Sequence, residues 1–290
     1  MNRPACFPFR AAWAAVMLAG MLSEPSARAA PPPPAPDAGL SVLLPMDREI
    51  LDDTRFNWRQ IQTEHFTIHC ERKAFAAKVA RLAEQFYSAI SSDLPDLQDH
   101  VAPRRSHIFI FRHARDWQAV VAETPGLEPW TASLVRGQVM WLQELDGDSS
   151  EKMGILAHET THLVFNRFLR VQLPLWLNEG LAEYYREFAY RAARGMGRSK
   201  RSAFPPLRTA MPLAELLAAT TYPTDPAQVD VFYKTGKYIV GWLLWKLPRE
   251  QWNAFFGRVL AGESATDALL DVYGWSDLDA MQNDFERFIR

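Results

Sequence analysis

From about Glu151 to Leu169 the chain has helical spacing, and within it stands the run His158-Glu159-Thr160-Thr161-His162. Residues four apart on an α-helix lie one above the other, with Cβ atoms about 5–6 Å apart, so the two imidazoles point to one place. Asp148 and Glu151 offer a capping box at the start of this helix. Two imidazoles so spaced can converge on a single cation, for which zinc–nitrogen distances of roughly 2.0–2.1 Å are usual. Glu159 is rotated about 100° from His158 around the axis, which suits it to face a water at the ion and to accept a proton from it.

A catalytic zinc takes three protein ligands and keeps one position open. After the break at Pro174 the sequence reads Trp176-Leu177-Asn178-Glu179-Gly180-Leu181-Ala182-Glu183-Tyr184-Tyr185. A second helix returning antiparallel to the first brings Glu179 opposite the histidines, so His158, His162 and Glu179 are the expected Zn2+ ligands. Glu183, one turn further on the same face, is placed to accept from the free ring N–H of a ligand histidine and so fix its tautomer. Asn178 stands either beside the ligands as a further outer partner or as the N-cap of this second helix.

The rest of the chain surrounds these helices with a small β-rich region. Thr63 to Cys70 alternates like a half-buried strand, and Phe75, Val79, Leu82, Phe86 and Ile90 recur at helical spacing up to Pro95. Ser106 to Phe111 and Arg136 to Leu142 read as further strands, the second with Gly137 at its start and an Asp146-Gly147 turn at its end. From Asp148 onwards the pattern is almost wholly helical. It includes an apolar segment, Tyr238 to Leu247, that is too short to span a bilayer and reads as a core helix. The expected fold class is therefore α+β, a small N-terminal mixed sheet with helices followed by a mainly helical zinc-binding half. The domain reading is 1–29 signal peptide, 30–54 Pro-rich linker and N-terminal extension, 55–147 α/β subdomain and 148–290 helical catalytic subdomain.

The signal peptide rests on Arg3 and Arg10 before the apolar run Ala11 to Leu22, with Ala27-Arg28-Ala29 as small residues at the cleavage spacing. Export to the periplasm or the exterior, with cleavage near Ala29 and no transmembrane segment in the mature chain, is the expectation. With 32 basic and 34 acidic residues the chain has no polyanion-binding balance, so nucleic acid is not an expected partner. Of its two cysteines, Cys6 lies in the presumed signal, which leaves Cys70 as a small buried strand residue and excludes a disulfide framework. His65, His69, His100, His107 and His113 are scattered singly and read as surface or satisfied core residues. Arg191, Arg194, Arg198, Lys200 and Arg201 read as a solvated loop near the site.

The two helical motifs resemble those of the gluzincin metallopeptidases, the thermolysin and aminopeptidase-N superfamily, and within it the peptidase-MA-like bacterial branch. There a strand-and-helix opening, H-E-x-x-H, a W-L-N-E-G-x-A-E segment and a helical C-terminal half recur in this order, a likeness that covers roughly residues 55 to 290. The resemblance implies a thermolysin- or aminopeptidase-like catalytic domain acting on peptide or protein substrates, with His158, His162 and Glu179 as ligands and Glu159 as catalytic base. It also picks out Tyr233, in Phe232-Tyr233-Lys234-Thr235-Gly236, as a donor to the oxyanion of the transition state.

Two departures from the aminopeptidase pattern bear on specificity: 16 residues separate His162 from Glu179, slightly fewer than in those enzymes, and their G-x-M-E-N amine-anchoring segment is missing. An exposed edge strand near Gln138 to Gln143 is an alternative place for a substrate backbone to pair. The rival functional readings are a non-catalytic binding or assembly protein stapled by zinc, and an amide hydrolase acting on cell-wall peptides.

Overall fold

A computed structural model describes residues 42–94, 105–127, 131–144, 150–169, 171–196 and 204–290. The signal peptide, the proline run 31–36, Pro95, His100, the Asp146-Gly147 turn, Asp148 of the capping box, and Arg198, Lys200 and Arg201 lie outside the described residues.

Alternating side chains decide how the sheet is buried. Its strands are β1 (Arg59–Gln62), β2 (Phe66–Cys70), β3 (Ser106–Phe111), β4 (Ser133–Arg136) and β5 (Val139–Gln143), in the spatial order β1-β2-β3-β5-β4. The inner pairs β2–β3 and β3–β5 are parallel, and the outer pairs β1–β2 and β4–β5 are antiparallel. Phe66, Ile68, Cys70, Ile108, Ile110, Met140 and Leu142 enter the larger core, which takes in helical residues as far as Ile289. Phe109, Phe111, Val139 and Trp141 enter a smaller core on the other face. There they meet Ile50 of α1 (Pro45–Asp52) and Trp117 of α3 (Ala114–Glu123).

Because both faces are covered, β2 and β3 are buried along their whole length, as parallel strands usually are. The expected half-buried strand at Thr63 to Cys70 is thus shorter and fully buried. Cys70 is a buried free thiol, as expected.

The strand expected from Arg136 to Leu142 is found, slightly shifted, as β5, the second arm of a hairpin whose first arm, β4, was not expected. The chain turns at Gly137, whose φ of +54° is costly for residues with a Cβ, so β4 precedes the turn and β5 follows it. The expectation of an exposed edge at Gln138 to Gln143 is overturned with it: β5 lies between β3 and β4, and the free edge belongs to β4.

Helix α2 (Lys73–Asp93) packs on the larger core face, as its spacing predicts. Then come α4 (Ser150–Phe168), α5 (Leu175–Ala193), α6 (Leu213–Ala218) and α7 (Pro226–Gly241), the last continued by a π-helical turn, Trp242–Lys246. The apolar segment from Tyr238 is the end of α7 plus this turn, and Trp242 is buried against Trp275 and Phe285. Helices α8 (Arg249–Leu260), α9 (Ala265–Tyr273) and α10 (Leu278–Ile289) complete an α+β fold. No helix among the described residues is long and apolar enough to cross a membrane.

One close approach fixes the geometry around the histidines. A Cβ on Gly180 of α5 would stand 2.6 Å from the carbonyl oxygen of Gly236 in α7, so the two backbones meet where only glycine fits. Glu179 and Tyr233, neighbours of these glycines in sequence, are thereby carried into one region.

Candidate metal centre

Cross-contacts give the relative direction of α4 and α5. His158 meets Glu183 while His162, one turn later, meets Asn178, so the helices run antiparallel as the motif spacing predicts. Pro174 occupies the capping position of α5, which places Asn178 inside the first turn and overturns its reading as an N-cap.

The side chains of His158, His162 and Glu179 are buried and converge. The two Nε2 atoms are 3.2 Å apart, and Glu179 Oε2 lies 3.4 Å from that of His158 and 3.6 Å from that of His162. Three donors at 2.0–2.1 Å from a tetrahedral ion stand about 3.3 Å from one another. The triangle has the size of one face of such a coordination sphere. Glu179 Oε2 is buried without a hydrogen-bond partner, a costly arrangement for a carboxylate unless a cation completes it. These residues could hold a metal ion.

Each of these three side chains is held from behind. Asn178 Oδ1 lies 3.3 Å from His162 Nδ1, where it can accept the ring proton. Glu183 Oε1 is 3.0 Å from His158 Nδ1, an ion-pair contact whose alignment falls short of a straight hydrogen bond, and it also pairs with Arg186 at 3.1 Å. Tyr222 donates to Glu179 Oε1 at 2.7 Å, leaving Oε2 to face the histidines.

Charge follows this geometry. Burial alone would lower the His158 pKa, but Glu179 and Glu183 outweigh it and push it well above the usual imidazole range. Burial works against ionising Glu179, yet His162 and His158 hold its carboxyl far below the usual range. Glu183 is likewise held down to about 2, against burial, by His158 and Arg186. The Tyr222 hydroxyl keeps its proton because burial and the adjacent Glu179 both push its pKa up. The pocket thus favours positive charge at its centre.

Glu159 is buried beside the triangle, with Oε1 accepting a 2.7 Å hydrogen bond from Ser133 Oγ and Oε2 without a partner. Tyr233 is 8% exposed, and its ring lies 6.2 Å from that of His158 and 6.1 Å from that of Tyr222. Next to this centre is a chamber of about 580 Å³ with walls that include Phe165, Leu169, Leu173 and Leu217. Asn178 and Tyr222, which touch His162 and Glu179, line it too.

Sequence reasoning missed Ser133 and Tyr222, which lie in a short strand and in a segment between helices where no spacing marks them. It also treated His69 and His107 as isolated. They sit on adjacent strands, buried, with Nε2 of one 2.8 Å from Nδ1 of the other. Compared with known proteins, the sequence matches no family profile, and no curated protein is detectably similar to it.

Proposed function

We propose that this chain is an exported zinc metallopeptidase of gluzincin type, with a thermolysin- or aminopeptidase-like catalytic arrangement, that hydrolyses bonds in peptide or protein substrates. The observation that carries the proposal is the buried Oε2 of Glu179, without a hydrogen-bond partner and at tetrahedral spacing from two imidazole nitrogens. Among the described residues the group has three members, the number that a catalytic zinc uses, whereas structural zinc is closed by four. The basic and then apolar N-terminus, from Arg3 to Leu22, supports export.

When bound, Zn2+ supplies Lewis acidity, which brings the pKa of a water towards 7 and polarises a scissile carbonyl. Glu159 takes a proton from the attacking water and passes it to the leaving amine nitrogen. Tyr233 donates from its hydroxyl to the oxygen on which negative charge develops. Glu183 and Asn178 fix the orientation of His158 and His162, and Tyr222 holds Glu179 through Oε1.

The test is digestion of a broad peptide library by the zinc-loaded protein, the chelated protein and Glu159→Gln. Cleavage is expected from the first alone, and Glu159→Gln should keep one zinc per chain while hydrolysis falls about 10²–10⁴-fold. A protein that uses the ion as a staple cleaves nothing in any state. An amide hydrolase for cell-wall peptides spares the library and digests peptidoglycan fragments.

A further inference from the structure

We infer that Ser133 is a positioning residue that orients the carboxylate of Glu159, an inference that rests on reading Glu159 as the general base. The hairpin at Gly137 creates the edge strand β4, and alternation along it divides the side chains: Leu134 enters the smaller core while Val135 enters the larger one, on the face where α4 packs. Ser133, two residues before Val135, shares its face and reaches Glu159 of α4 with a 2.7 Å bond between two buried groups.

A carboxylate free to rotate about its terminal torsion presents either oxygen in many directions. Here the Ser133 hydroxyl engages Oε1 alone, and Oε2 has no partner. One oxygen is therefore an anchor, and the other is the one available to take a proton. Positioning of this kind acts on the rate of the chemical step and leaves substrate affinity nearly untouched. The strand position matters as well. Ser133 is fixed by backbone pairing of β4 with Leu142 of β5, so its hydroxyl belongs to the sheet and not to the metal helices. It sets the base relative to the ligands from an independent element.

The experiment compares Ser133→Ala, Ser133→Thr, Glu159→Gln and the double variant Ser133→Ala/Glu159→Gln, each as zinc-loaded full-length protein. Ser133→Ala should lower kcat roughly tenfold to a hundredfold, the range of a lost hydrogen bond to a charged group, with KM and zinc content unchanged. Ser133→Thr, which keeps the hydroxyl, should restore most of kcat, and the double variant should be no slower than Glu159→Gln alone. An unchanged kcat in Ser133→Ala, or a further loss in the double variant, overturns the inference while leaving the peptidase reading standing.

Crystal structures of the zinc-loaded wild type and Ser133→Ala give a readout free of activity. The Glu159 carboxylate should hold one orientation in the first and depart from it in the second. If it keeps the same rotamer in both, Ser133 does not position it. If the wild type cleaves nothing, the peptidase reading fails, and this comparison alone decides whether Ser133 orients Glu159.

Discussion

Among the described residues two pairs of buried histidines stand in contact, and their surroundings are opposite. His158 and His162 approach to 3.2 Å through Nε2 atoms, and Glu159, Glu179 and Glu183 lie close to them. His69 and His107 approach to 2.8 Å, and His69 stacks on Phe109 with ring centroids 4.3 Å apart. In the first pair the anions raise the pKa of His158. In the second, burial and then the neighbouring His107 lower that of His69 to about 3. Two close imidazoles are thus not a cation site in themselves. The carboxylates around them decide whether the pair favours a positive centre or a neutral core contact.

The sharpest way to break this contrast is to remove the anion from the first pair. Glu179→Gln keeps the shape of the side chain, and its zinc affinity should fall by more than roughly a hundredfold, beyond the 10–100-fold expected for a partner outside the ligand set. Competition with a chromophoric chelator measures this; undiminished affinity places the third ligand elsewhere. Glu183→Gln, which leaves the triangle whole but weakens the hold on His158, should lose about 10–100-fold in the same assay.

Gly180→Ala probes the helix crossing that carries Glu179. The added methyl meets the Gly236 backbone, so a loss of about 1–3 kcal/mol in unfolding free energy is expected by denaturant titration. A neutral result means that α5 and α7 can separate without cost.

His69→Gln should leave zinc binding unchanged, the smallest effect of the series on the metal. Its signature is in the pH dependence of folding. The folded state keeps His69 neutral down to a pKa of about 3, whereas the ordinary value is 6.5. Its contribution to stability is therefore present above pH 6.5 and is lost as the pH falls towards 3, by up to about 1.4 kcal/mol per pH unit. In His69→Gln the acid side of the stability curve should be shallower by up to one proton. An identical slope means that His69 is protonated in the folded state.

Why one histidine pair was legible in the sequence and the other was not follows from how each is brought together. His158 and His162 are four residues apart on one helix, so local geometry alone joins them, and the break at Pro174 makes the return of Glu179 predictable. His69 and His107 are joined only by strand pairing across 38 residues. The same holds for Ser133 with Glu159, 26 residues apart, and for Tyr222 with Glu179, 43 apart. The strand expected from Arg136 to Leu142 recovers β5, but β4 went unseen because the turn that creates it depends on the positive φ of Gly137, which apolar spacing does not show. That one residue changed the edge of the sheet and concealed Ser133. The helices were legible because their apolar spacing is long, and Asn178 was misplaced because Pro174 already sets the start of α5.

Anomalous diffraction at the zinc edge, from crystals of the zinc-loaded protein, decides whether His158, His162 and Glu179 hold a single cation between them. One peak is expected, about 2.0–2.1 Å from Nε2 of His158, Nε2 of His162 and Oε2 of Glu179. A peak bound by other residues, or a Glu179 side chain turned away from both rings, contradicts it.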